Sequence, residues 1–317
     1  MPELYGKAMI EVRGLRKSFD GAIAVDRLDL AVLEGEVFAL VGPEGAGKTT
    51  TIRILCGELA PSEGSARVAG FDAVSQPEQV RPHIGYVPAR LSLYGDLTVD
   101  ENLLLRARER AVDPKSFTKR RERLLSLGRL GRFRRRLARD LPRGMRQRLA
   151  LACALIHAPE VLLLDEPTAG LEPLARDEFW ELLLDLVGPK AEQRSTALLS
   201  SANIAEADRC RRVGMMCQGR LLACGTPWEI RRELGLEMLE VECESVEQAQ
   251  AVLCKRPGVK WAELSGKRLQ VALAGQESGQ EVRRALQEHG LEVRSLRRIE
   301  PSLEHAYHEL IWRARQS

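Results

Sequence analysis

The residues that could do chemistry lie in two short segments. Residues 42–50 read Gly-Pro-Glu-Gly-Ala-Gly-Lys-Thr-Thr, and residues 163–168 read Leu-Leu-Asp-Glu-Pro-Thr. In the first, Gly42, Gly45 and Gly47 let the backbone curl until successive N–H groups point at one anion. Pro43, Glu44, Ala46 and Thr50 complete the loop. Lys48 is spaced to reach the β- and γ-phosphates of a nucleotide, and Thr49 offers a hydroxyl to Mg²⁺. In the second segment, Asp165 ends an apolar run, where a carboxylate can hold the magnesium shell. Glu166 follows, where a base can polarise an attacking water. Glu44 is the oddity, since an acid beside phosphate is unfavourable unless it points to solvent. The pair of segments implies binding of a nucleoside triphosphate with Mg²⁺.

The elements that must position these residues are legible nearby. Glu36–Val41 reads as a short buried strand running into the glycine loop, and Lys48–Cys56 as the helix that follows. Strand, glycine loop and helix form the context a phosphate-binding motif requires, with the helix N-terminus facing the anion. Ile10–Val12, Leu28–Val32, Val161–Leu164, Thr196–Ser200 and Val213–Met216 read as further strands, and a polar, helical section runs from about Thr98 to Ile156. This is an α/β layout with a parallel core and an inserted helical subdomain at about 92–156. A first domain over 1–232 is expected.

From 236 to 317 the pattern changes to strand, helix, hairpin, helix, strand. Met238–Cys243, Lys260–Leu264, Arg268–Leu273 and Leu291–Arg297 are the strands, and Val246–Lys255 and Glu281–His289 the helices. The order β-α-β-β-α-β predicts a small α+β, ferredoxin-like domain. A last helix is expected to start at Pro301. His305 and His308 stand three apart without an evident third ligand, and surface or packing roles are expected of them.

Composition narrows the function classes. The 317 residues are 44% hydrophobic and 29% charged, with net charge +3. No apolar run approaches the ~18 residues of a membrane span. The N-terminus shows no apolar signal-peptide core. Seven scattered cysteines without a Cys-x-x-Cys pair fit a reduced cytoplasm better than a disulfide or metal framework. The basic stretch Lys115–Arg148 reads as a solvated helical face in preference to a nucleic-acid patch, on the expectation that no aromatics interleave its charges. Contact with anionic lipid head groups is a third reading.

The motifs together resemble the ATP-binding subunit of an ABC transporter, of the bacterial exporter type with separately encoded permeases. The resemblance covers roughly residues 8–230, and the C-terminal module is similar to that group's accessory domain down to Glu300-Pro301-Ser302-Leu303-Glu304. Leu97-Thr98-Val99-Asp100-Glu101-Asn102-Leu103 and Met145-Arg146-Gln147-Arg148-Leu149 match the start of the helical subdomain and the tail of the signature helix. The resemblance implies a P-loop NTPase fold, ATP and Mg²⁺ as ligands, and adenine stacked on Phe19. It also implies a membrane permease as partner, no nucleic acid, and a peripheral location on the cytoplasmic face of the membrane. Leu91–Tyr94 would meet the permease.

Departures from the family pattern are concentrated. Ala89 stands where the Q-loop glutamine is expected, and Ala202 where the switch histidine is expected. The signature appears as Leu141-Pro142-Arg143-Gly144-Met145, and Glu172 replaces the D-loop aspartate. Pro142 removes a hydroxyl and a backbone N–H together. A positioned proton-transfer group is worth about 10²–10⁴ in rate, and a charge on the γ-phosphoryl about 10³–10⁵. Binding is therefore expected to survive and turnover to be weak in the chain alone. The family's head-to-tail pairing then implies an asymmetric pair with a complete second ATP-binding subunit. Arg143 as an arginine finger in trans is a sharper expectation. A non-hydrolysing assembly module is the alternative. A soluble relative acting on DNA or ribosomes is disfavoured, since no long coiled-coil insertion or second ATPase domain is seen.

Overall fold

Alternation in the first strands and unbroken apolar runs in the central ones produce two different sheets. A computed structural model describes residues 6–187, 195–235, 237–274 and 278–316. The N-terminal residues 1–5 and the expected domain start at 236 lie outside them. The chain divides into two units, one ending at Thr226 and the other beginning at Pro227. The helix beginning at Pro227 thus goes with the second unit, ahead of the boundary read from sequence.

The first unit opens with a long hairpin, β1 (Ala8–Phe19) and β2 (Ala22–Leu33), well beyond the short strands expected. β3 (Val37–Val41) leads into the glycine loop and α1 (Lys48–Leu55). Glu36 lies just outside β3, where its carboxylate accepts the N–H of Leu33 at 2.8 Å. β4 (Glu63–Val68), β5 (Phe71–Asp72), the short α2 (Pro77–Val80) and β6 (Ile84–Val87) follow. The helical insertion holds α3 (Val99–Glu109), α4 (Pro114–Leu127) and α5 (Arg143–Leu155). β7 (Val161–Leu164), α6 (Pro173–Val187), β8 (Thr196–Ser201), β9 (Arg212–Cys217) and β10 (Arg220–Gly225) complete the unit.

One sheet runs β10-β9-β3-β8-β7-β6, and all pairs except β10–β9 are parallel. Every residue of β3, β7 and β8 is buried, which is why these strands read as continuous apolar runs. The C-terminal ends of β3, β7 and β8 carry the glycine loop, Asp165-Glu166 and Ala202 to one edge, where open parallel sheets bind ligands. The antiparallel sheet β2-β1-β4-β5 alternates instead.

Caps fix the insertion. Thr98 Oγ1 accepts the Glu101 N–H at 3.2 Å, and the Glu101 carboxylate accepts the Thr98 N–H at 2.7 Å, starting α3 with a reciprocal box. The expectation that no aromatics interleave the basic stretch is corrected here: Phe117 and Phe133 lie within it, and each packs against one of the stretch's own arginines. Arg121 lies 5.3 Å from the Phe117 ring and Arg132 4.7 Å from the Phe133 ring. These aromatics are engaged inside the chain.

The second unit holds α7 (Pro227–Leu234), β11 (Glu237–Cys243), α8 (Val246–Leu253), β12 (Val259–Ser265), β13 (Arg268–Leu273), α9 (Gly279–Glu288), β14 (Val293–Ile299) and α10 (Leu303–Gln316). Its antiparallel order β12-β13-β11-β14 is the ferredoxin-like arrangement. The last helix starts at Leu303 and not at Pro301: Ser302 Oγ accepts the His305 N–H at 3.2 Å, while His305 Nδ1 accepts the Ser302 N–H at 3.0 Å. His305 is thereby a capping residue whose Nε2 donates to Gln270 at 2.7 Å. His308 contacts Glu263 and the Trp261 ring.

Candidate functional site

The glycine loop is shaped by close backbone approach. Gly42 sits at φ +154°, and a Cβ there would lie 2.2 Å from Met216 O. Gly47 sits at φ +100°, and a Cβ there would lie 2.4 Å from Ala24 O. Only glycine fits either position. The second contact also brings the β1–β2 hairpin, which carries Phe19, alongside the loop. Glu44 is exposed at the tip, which relieves the conflict its charge posed.

Lys48 is almost fully buried, at 5% exposure. Its ammonium donates to Gly42 O at 2.7 Å and Pro43 O at 3.0 Å, and pairs with Glu166 Oε1 at 3.1 Å. The other carboxylate oxygen of Glu166 accepts the N–H of Ala202 at 3.0 Å. Glu166 therefore spans Lys48 and Ala202, and the alanine engages it through its backbone N–H. Asp165 Oδ1 accepts from Thr49 Oγ1 at 3.0 Å and from Ser200 Oγ at 2.6 Å. Ser200 in turn accepts the Glu166 N–H at 2.8 Å. That bond supports a left-handed φ of +47° at Glu166, uncommon for a residue with a side chain.

The donor set fits a magnesium nucleotide. Thr49 Oγ1 and Asp165 Oδ1 are hard oxygen ligands near enough to face one cation. The glycine loop and the N-terminus of α1 face the place an anion would take.

Ala89 lies with Thr49, Asp165, Tyr86, Arg90 and Arg106 around a cleft of about 590 Å³. His157 joins this cleft; burial pushes its pKa down to about 4, and its Nε2 donates to Ile84 O at 3.0 Å. Burial also raises the thiol of Cys153 to about 12, which leaves it a packing residue. Phe19 is 43% exposed at the end of β1, with Lys17 Nζ 5.1 Å from its ring centroid. An aromatic face kept this open is available for stacking.

Pro142, Arg143 and Glu172 gather elsewhere, around the loop after Glu166. Pro142 precedes α5 and makes no side-chain cap. Arg143 Nη2 donates to Ala169 O at 2.7 Å, and Glu172 is exposed just before α6. Thr50 is half-buried on α1.

Two contributors escape a reading of motifs. Ser200 closes the carboxylate pair from β8, and its polar type at the end of a buried strand is a usable signal. Glu206, 6% exposed, accepts from Thr168 Oγ1 at 2.7 Å and Trp180 Nε1 at 3.2 Å and pairs with Arg176. It joins β7, α6 and the segment after Ala202. Apart from Asn203, three residues away, its partners Thr168, Arg176 and Trp180 lie 26 to 38 residues away in sequence, so no local motif announces the junction.

Comparison with known proteins points to one family. The family described as ABC transporter matches residues 25–169, and the ATP-binding protein DrrA1-3-like C-terminal domain matches residues 225–310. The chain is 37% identical over 254 residues to the daunorubicin/doxorubicin resistance ATP-binding protein DrrA of Streptomyces peucetius, covering 79% of this chain and 76% of that one. It is 38% identical over 228 residues to the probable multidrug ABC transporter ATP-binding protein YbhF of Escherichia coli, covering 72% of this chain but only 39% of that relative's length. The dimeric structure of MJ0796, a bacterial ABC transporter cassette, superposes with a TM-score of 0.62 at 25% identity, covering 69% of this chain and 98% of that one.

Proposed function

The chain belongs to the ATP-binding proteins of ABC transporters, with their P-loop NTPase fold, and from that premise we propose that it binds MgATP to energise or regulate a separate membrane permease of an exporter. The observation that carries the reading is the intact cluster of Lys48, Thr49, Asp165 and Glu166 at the ends of β3 and β7. Lys48 and the glycine loop hold the phosphates, Thr49 and Asp165 hold Mg²⁺, and Phe19 stacks on adenine. Bound Mg²⁺ supplies positive charge against the phosphates. Glu166 polarises the attacking water once the phosphate takes over Lys48. The protein works at the cytoplasmic face of the membrane, where Leu91–Tyr94 beside the cleft at Ala89 meets the permease.

The finer reading is asymmetry. Ala89, Pro142 and Ala202 lack the polar groups that the family uses for coupling and turnover, and Arg143 adds a long side chain where close backbone approach is expected, whereas the binding residues are complete. In a head-to-tail pair, this chain's phosphate loop faces the partner's intact signature, and the partner's loop faces Pro142-Arg143-Gly144. The relatives named for drug resistance and multidrug transport support an exporter, and a related cassette that is dimeric supports pairing. Weak ATPase activity alone, restored with a complete second ATP-binding subunit, is the expected outcome. Full turnover by the purified chain by itself would sink the asymmetric reading.

A second reading takes ATP as an assembly ligand that is not hydrolysed. It is favoured by the hold of Lys48 and Ala202 on Glu166, which occupies the base at both oxygens. ATP binding without turnover in every complex would select it.

A further inference from the structure

We propose that Arg143 is a positioning residue that clasps the loop 169–172 to the start of α5 within its own chain, making the altered signature and this loop one body. The proposal rests on the paired reading above for its consequence, but its geometry belongs to the single chain.

Arg143 is the first residue of α5 and follows a proline that provides no side-chain cap. A cation at the positive end of a helix is unfavourable, so an arginine there calls for a compensating acceptor. It has one in Ala169 O, 2.7 Å from Nη2. The guanidinium also lies flat on Gly170: a Cβ on that glycine would stand 2.6 Å from Cζ and Nη1 and 2.7 Å from Nη2. Gly170 is at φ +65°, a left-handed backbone conformation that favours glycine.

The neighbouring contacts carry this clasp toward the chemistry. A Cβ on Gly144 would meet Ala175 Cβ at 3.3 Å, so α5 and α6 approach closely beside Arg143. Ala169 N donates to Glu166 O at 3.1 Å, and Leu171 N to Thr168 O at 3.1 Å. Arg143 is thus connected through Ala169 to the residue that polarises water. In the family's usual signature a glycine stands at this position and has no side chain to make the connection. The arginine is therefore a cis strut, and its donors are directed at its own chain and not at a γ-phosphate across the pair.

The test uses the full chain with Arg143→Ala, Arg143→Met and Gly170→Ala. Arg143→Met keeps an exposed stem of similar length and removes every donor, so it carries little folding risk. Hydrogen–deuterium exchange of residues 169–172 is read in the isolated chain, and ATP turnover in the pair with the cognate second subunit. Exchange at 169–172 should rise about tenfold in both arginine variants, with nucleotide affinity of the isolated chain unchanged and kcat of the pair lowered. Gly170→Ala should reproduce both effects by displacing the guanidinium, and the double variant should be no worse than either single one. Unchanged exchange in Arg143→Met overturns the clasp. So does normal or raised turnover in Gly170→Ala with loss in Arg143→Ala, the pattern of a finger in trans. Because exchange is measured without a partner, failure of the asymmetric reading leaves this result interpretable.

Discussion

Ser200 Oγ lies 2.6 Å from Asp165 Oδ1 and, from its other side, accepts the N–H of Glu166. One hydroxyl at the end of β8 thereby sets both carboxylates at the end of β7. Because the two strands are parallel neighbours in register, Leu164 opposite Leu199, the next residues of each chain segment meet at the sheet edge.

Replacing Ser200 with alanine should leave the Glu166 N–H without its acceptor and Asp165 Oδ1 with Thr49 Oγ1 as its remaining side-chain donor. The Glu166 N–H is part-buried, and leaving such a donor unsatisfied costs about 1–3 kcal/mol. Urea unfolding should report a loss of that size, and the Mg²⁺ concentration for half-maximal nucleotide binding should rise. An unchanged Mg²⁺ dependence would remove Ser200 from the site.

Lys48 and Glu166 should separate binding from chemistry. Lys48→Met removes the ammonium proposed to hold the phosphates and should weaken nucleotide binding by at least about tenfold, an opposite charge at a phosphate being worth over about 1 kcal/mol. Glu166→Gln keeps the shape and should bind nucleotide as tightly as the parent or tighter, since the pair with Lys48 is gone. Turnover of the assembled pair should fall by about 10²–10⁴. Fluorescent-nucleotide titration and phosphate release measure the two effects; equal losses of affinity in both variants would contradict the assignment.

Phe19→Ala tests the base. Stacking of a nucleobase on an aromatic ring is worth about 1–3 kcal/mol, so ATP affinity should drop by roughly tenfold or more. The ring is 43% exposed, so the melting temperature should hardly move. Retained affinity would place adenine elsewhere.

His157 gives the fold a pH dependence with a definite sign. Burial holds its folded pKa near 4, against 6.5 in the unfolded chain. Between those values the unfolded state binds more protons, so stability rises with pH. Its contribution is complete above pH 6.5, is lost as pH falls, and levels off below about 4. The slope of unfolding free energy against pH between 4 and 6.5 should be shallower in His157→Gln than in the parent; equal slopes would refute the assignment.

Much of this protein is legible in its residue order. The glycine loop, Asp165-Glu166 and their strands depend on local backbone rules: glycine where φ must be positive or backbones must touch, apolar runs where both sheet faces are buried. The order β-α-β-β-α-β in the second unit follows from period and turn residues, and its sheet order agrees. Boundaries are less legible. The sequence pattern extends the last helix back to Pro301, but a reciprocal Ser302–His305 cap starts it at Leu303. β1 and β2 outrun their short apolar segments because cross-strand pairing carries their polar ends.

Residue types by themselves determined that this chain has a glycine loop with Lys48 and Thr49 and an Asp165-Glu166 pair, the groups that suit a magnesium nucleotide, with alanines at 89 and 202, a proline at 142 and an arginine at 143. Tertiary structure alone decided what those groups touch. It brought Ser200 to Asp165 across 35 residues, gave Glu166 a backbone donor at Ala202, and turned Arg143 onto Ala169 and Gly170 of its own chain. The reason is physical: a motif is local in sequence, whereas hydrogen-bond partners are chosen by which strand ends the parallel sheet and the α5–α6 packing bring together.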